Sequence, residues 1–221
     1  MSERMSDILN VEMVPFLLDR GRTWMGINQR EDFKKIYAQL LIETYHYVKH
    51  SCLLMDLAQS LMTEERFLPL RDYLRGHIGE EQGHDLWLLQ DLKHLGRSAD
   101  EVRDTFPCDP VVSMVGGQYF LIREISAASI MGYIYVLEAQ PPNSEHLRQL
   151  AARYSIPLEA MSTLLEHSDI DVSHAHALKE TLDSAPFSDR ERAILVRSAT
   201  STASQLCGLF RTVAAQPVSP A

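Results

Sequence analysis

The chain has 221 residues, 45% of them apolar, and a formal charge of −9, which suits one domain with a sizeable core and, with no basic stripe, argues against a nucleic-acid partner. The longest apolar stretches are broken by Glu, Arg or Gly, so no membrane span is expected, and no basic segment followed by an apolar run marks a signal peptide. Three scattered cysteines, Cys52, Cys108 and Cys207, with no CxxC pair, suit a reduced, cytoplasmic protein without a disulfide framework or a thiolate zinc site.

Helical periodicity runs through nearly every long segment, and no alternating strand pattern is evident. Ser6 to Asp19 reads as a first helix interrupted by Pro15, and Arg20 to Arg30, with Gly21 and Gly26, as a connection. Glu31 to about Met62 reads as a long helix or two stacked ones, with Phe33, Ile36, Leu40, Tyr47 and Leu54 among its apolar positions. Glu64 to Leu95 reads as a third helix, bent near Pro69 and Gly76, and Gly96 ends it. Ser98 and Glu101 have capping-box spacing for a short helix closed by Pro107. Pro110 to Gln140 reads as a fourth long helix, rich in small residues and stopped by Pro141-Pro142. A short helix follows over Asn143 to Tyr154. Pro157 opens another over Leu158 to Leu182, and Ser188 with Glu191 caps a last one to about Arg211. The tail from Ala214 to Ala221, with two prolines, is expected to be disordered. The expectation is a single all-α bundle of about seven helices over residues 1–213.

The chemistry concentrates in His167-Ser-Asp-Ile-Asp171-Val-Ser-His174. On a helix, His167, Asp171 and His174 stand at i, i+4 and i+7, on one face. That face continues into Leu164, Met161 and Leu178, so it should turn inward. Buried ionisable groups are costly unless paired or bound to metal. Earlier, Glu81 and His84 stand three apart, a spacing used for paired ligands in di-iron carboxylate bundles. Trp87 and Leu88 follow on the same side, and Glu80, four before His84, is an alternative carboxylate. Glu138 follows the apolar Ile134 and Met131 by four and seven residues, which favours a buried position. Three carboxylates and three imidazoles suit iron or manganese better than a thiol-loving metal. They are too many for one open catalytic ion and about right for two that share a carboxylate. Two ferrous ions can each pass one electron to dioxygen.

The runs Glu80-Glu-Gln-Gly-His84-Asp-Leu-Trp, Tyr135-Val-Leu-Glu138-Ala-Gln-Pro and Glu166-His-Ser-Asp-Ile-Asp171-Val-Ser-His174-Ala resemble those of the haem-oxygenase-like di-iron oxidases. That group includes an alkene-forming fatty-acid decarboxylase and a chlamydial protein, and shares the fold of haem oxygenase and of TenA- and PqqC-type enzymes. The resemblance covers roughly Glu31 to Leu182. It implies a haem-oxygenase-like bundle and a dioxygen-dependent di-iron oxidase. The substrate would be a small amino acid or carboxylic acid, open to C–C fragmentation, desaturation or N-oxygenation. The implied ligands are His167, Asp171, His174, Glu138, His84 and either Glu81 or Glu80. Haem binding is not implied, and a homodimer is compatible with the group.

A second polar stripe, Glu43, His46 and His50, lies on the second helix. The resemblance makes Glu43 a seventh-ligand candidate, but a role in hydrogen-bonding ligands or substrate is favoured. Lys49, Arg123 and Arg148 are candidate anchors for a substrate carboxylate, each more easily read as a surface charge. The competing functional readings are a metal-independent enzyme on the same fold, with Cys207 as its nearest nucleophile, and a non-catalytic iron-binding or regulatory protein. Residues 168–173, Ser, Asp, Ile, Asp, Val and Ser, are poor helix formers. This stretch is therefore expected to depend on its metal for order.

Overall fold

A computed structural model describes residues 3–139 and 141–215, apart from the side chains of 169–173. Among the described residues it contains ten α-helices and no strand. They are α1 (Met5–Ile27), α2 (Phe33–Leu61), α3 (Leu68–Glu81), α4 (His84–His94), α5 (Ala99–Asp104), α6 (Asp109–Phe120), α7 (Ile130–Glu138), α8 (Ser144–Tyr154), α9 (Ser162–Ser184) and α10 (Asp189–Ala214). The all-α, single-domain expectation stands, but two segments read as continuous helices are each split in two. Both expected capping boxes form, Ser98 with Glu101 on α5 and Ser188 with Glu191 on α10.

The first split falls at Gln82-Gly83, not at Pro69 or Gly76. Pro69 lies in the first turn of α3, where its missing N–H costs nothing. Gly83 has φ +96°, a left-handed conformation that glycine adopts without Cβ strain. The second split lies between α6 and α7. There a single wide turn over Leu121–Ile125 closes with the Ser126 N–H donating to the Leu121 carbonyl at 2.9 Å, and Ser126 itself is extended. α1, by contrast, runs past Asp19 through Gly21 and Gly26. Each helical glycine costs about 1 kcal/mol relative to alanine. Trp24 offsets this by packing edge-on to Phe33 and Phe210, ring centroids 5.9 and 6.1 Å away. α9 starts at Ser162, four residues later than Pro157 suggests, after a 3₁₀ turn over Leu158–Met161. Its start is set by the buried Asp91 on α4, which accepts from Ser162 Oγ (2.6 Å) and the Thr163 N–H (3.0 Å). α10 continues through Ala214, one residue into the expected tail, and residues 216–221 lie outside the described residues.

α10 packs against α1, α6 and α7, while α2 packs against α3, α4 and α6. α9 joins the two groups, touching α1, α3, α4, α7 and α8. Leu54 on α2, Leu70 and Leu74 on α3, and Leu88 and Leu92 on α4 are fully buried. Each such side chain contributes about 1.5–3 kcal/mol through burial. Among the small residues of this region, Gly132 permits close packing of α7 on α10. A Cβ there would meet Ala199 N at 2.8 Å and Ser198 Cβ at 2.9 Å. Among the described residues no helix is long and apolar enough to cross a membrane.

Candidate metal centre

Four helices deliver ionisable groups to one buried place. Glu81 is the last residue of α3 and His84 the first of α4, so the Gly83 turn lies between them. His84 Nδ1 nevertheless donates to Glu81 Oε2 at 2.9 Å. Glu138 ends α7, and α9 brings His167 and His174. α3 contributes one more, His77, buried one turn before Glu81.

These groups form two sets of potential ligand atoms, each with all its atoms within 4.8 Å of one another. One set is His77, Glu81, Glu138 and His174; the other is Glu81, His84 and His167. Glu81 belongs to both. In the first set, His174 Nδ1 lies 3.2 Å from Glu138 Oε2 and 3.9 Å from Glu81 Oε1. His77 Nε2 lies 3.9 Å from Glu138 Oε1. The rings of His77 and His174 meet edge to face at 4.9 Å, and those of His84 and His167 at 4.8 Å.

The donors are held by their surroundings. His167 Nδ1 donates to the Thr163 carbonyl at 2.7 Å, which fixes the tautomer and leaves Nε2 as an acceptor. Tyr73 stacks on His77 with centroids 5.5 Å apart, and Trp87 covers His84 at 4.1 Å. Burial pushes the Glu81 pKa up, but the hydrogen bond from His84 and the nearby imidazoles of His84, His77 and His167 outweigh it and hold Glu81 below the ordinary carboxylate range. His174 is raised above the usual imidazole value, chiefly by its hydrogen bond to Glu138, against the effect of burial.

A cation fits this donor set on one further observation. Glu81 Oε1 is buried with no hydrogen-bond partner among the described residues. An orphaned carboxylate oxygen costs free energy in a buried site. A metal ion shared by the nitrogen and oxygen donors around it would remove that cost, and the N/O chemistry suits iron or manganese.

Of the sequence candidates, Glu81, His84, Glu138, His167 and His174 come together. Asp171 lies on the α9 backbone, but its side chain is outside the described residues. Glu80 is mostly exposed at the rim, its Oε2 3.2 Å from His174 Nε2 and 3.7 Å from His77 Nδ1. Glu43 faces elsewhere: it accepts from Gln39 Nε2 (3.0 Å) and from the Cys108 N–H (2.9 Å) at the start of α6. His46 bonds Thr105 and His50 bonds Tyr119, so that stripe serves α5 and α6. Lys49 sits over the Tyr45 ring, Arg123 over Tyr119, and Arg148 is exposed. The Cys207 thiol donates to the Phe16 carbonyl, and burial raises its pKa, the opposite of an activated nucleophile.

Reading from the sequence missed His77. The signal was present: His77, Glu81 and His84 repeat the i, i+4, i+7 pattern of His167, Asp171 and His174. A cavity of about 530 Å³ opens beside the cluster, with His77, Glu81, His84, Glu138 and His167 in its wall and mostly apolar side chains elsewhere. That volume is typical of small-molecule sites, about 300–1,000 Å³.

A comparison with curated protein sequences finds no match. Solved structures share the fold. A haem-oxygenase-like domain of unknown function from Shewanella denitrificans is similar at TM-score 0.74 and 20% identity, over 95% of this chain and 88% of the other. A TenA homologue from Pseudomonas syringae pv. tomato is similar at 0.72 and 14%, over 95% and 92%. A CADD-like protein of unknown function from Nostoc punctiforme is similar at 0.70 and 16%, over 95% and 93%. Residues 38–206 match the family described as iron-containing redox enzyme, and the chain belongs to that haem-oxygenase-like family.

Proposed function

We propose that the protein is a non-haem di-iron oxidase that uses dioxygen to oxidise a small amino acid or carboxylic acid. One observation carries this: Glu81 is common to two ligand sets, one buried and the other buried but for the half-buried His167, as a carboxylate shared by two ions would be. His77, Glu138 and His174 would complete one ion's protein ligands, and His84 and His167 the other's, with Asp171 added from its place on α9. Two ferrous ions, when bound, would supply electrons to dioxygen. The protein's own contribution is positional. Thr163 orients His167. Trp87 and Tyr73 flank His84 and His77, and the apolar cavity wall excludes water from the reacting substrate. The test is oxygen consumption after anaerobic loading with ferrous iron. Rapid uptake by the loaded protein, absent from the metal-free protein and from a Glu81→Ala variant, is expected. Iron binding without any oxygen uptake would instead favour a storage or regulatory protein.

A further inference from the structure

The cavity has a second polar feature, away from the metal ligands. Arg20, on α1, contributes to its wall. No described residue gives its guanidinium a hydrogen bond or an ion pair. Asp19, its neighbour in sequence, pairs with Arg211 instead. The electrostatic neighbours of Arg20 are Cys207 and Tyr47, with no cluster carboxylate among them. Burial lowers its pKa, the signature of a desolvated cation without a counter-charge. Tyr47, also in the wall, lies within electrostatic reach of both Arg20 and Glu138. Around them the wall is mostly apolar, with Leu17, Trp24, Leu40, Leu137, Leu206 and Phe210.

We infer that Arg20 is an anion-binding subsite that takes the carboxylate of an amphiphilic substrate, whose apolar body fills the cavity toward the metal ligands. A guanidinium is a planar fork that matches a carboxylate with two parallel hydrogen bonds. One cation in an apolar wall balances one negative charge. A phosphate monoester, with nearly two, would be left partly uncompensated. The inference rests on the oxidase reading of the same cavity, and adds that the carboxylate is held apart from the metal. The carbon presented for oxidation is then remote from the carboxylate.

Binding of octanoate, octan-1-ol and octylamine to the full chain tests this by calorimetry, with and without anaerobic ferrous iron. Octanoate is expected to bind at least about tenfold tighter than either neutral or cationic analogue, in both metal states. Arg20→Gln should bring the octanoate and octan-1-ol affinities within about twofold, and Arg20→Lys should keep part of the preference. Equal affinity for octanoate and octan-1-ol in the wild type would overturn the inference without any variant. A preference that needs iron and survives Arg20→Gln would also overturn it, by placing the carboxylate on the metal, and would leave the oxidase reading intact. Failure of the protein to bind iron, with the Arg20-dependent preference unchanged, would overturn the oxidase reading alone.

Discussion

His77 and His84 each belong to one ligand set, whereas Glu81 belongs to both. Calorimetric titration with ferrous iron under anaerobic conditions separates these roles. His77→Ala and His84→Ala should each lose about one of two binding events, and His94→Ala, exposed on α4, should lose neither. Tight binding of two ions by both His77→Ala and His84→Ala would remove these imidazoles from the site. Most of the site's residue types were legible because His and carboxylate at helical spacing have few other uses on an inward face. His77 was not legible because Glu81 and His84 form a complete Glu-x-x-His pair without it, and a single histidine one turn earlier on an apolar face reads as an ordinary core residue. The choice between Glu80 and Glu81 needed the phase of α3: Leu70, Leu74, His77 and Glu81 share its buried face, and Glu80 falls beside that face, mostly exposed.

α9 is tied at both ends. Asp91 holds its first turn, and Asp183 near its last turn accepts from the Ser6 N–H and hydroxyl at 2.9 and 2.7 Å. Between these ties, residues 168–173 are poor helix formers, with a summed cost on the order of 2–4 kcal/mol relative to alanine. Metal binding contributes directly to folding free energy. Hydrogen exchange over residues 163–177 should therefore slow markedly when ferrous iron is added anaerobically, with the other helices little changed. Equal, strong protection with and without iron would mean a preformed helix. At the α7–α10 contact, Gly132→Ala should destabilise the fold by roughly 1–3 kcal/mol in chemical denaturation, because its methyl would press on the α10 backbone. Unchanged stability would show that α10 can shift. Helix existence was legible from periodicity and caps. The two splits were not, since a left-handed glycine and a wide turn leave no mark on apolar spacing.

The bundle as a whole closes through contacts far apart in sequence, and the periodicity that revealed the helices says nothing about which of them touch. One such closure is Arg66, before α3, whose Nη2 lies 2.7 Å from Glu191 Oε1 at the start of α10. The hydrogen bond from Arg66 holds the Glu191 pKa down at about 2, against an ordinary value of 4.5. A depressed carboxylate stabilises the fold fully above its unfolded pKa and progressively less below it. The stability difference between the wild type and Glu191→Gln, on the order of 1–2 kcal/mol once screening around the partly exposed Arg66 is allowed for, should shrink as pH falls from 4.5 toward 2. A difference independent of pH would assign it to lost packing. At the centre of the molecule, the decisive quantity is the number of ferrous ions held per chain by the wild type and by Glu81→Ala, measured by anaerobic equilibrium dialysis. About two for the wild type and nearly none for Glu81→Ala is the result expected of a shared carboxylate. Two ions retained by Glu81→Ala, or a single ion in the wild type, would contradict it.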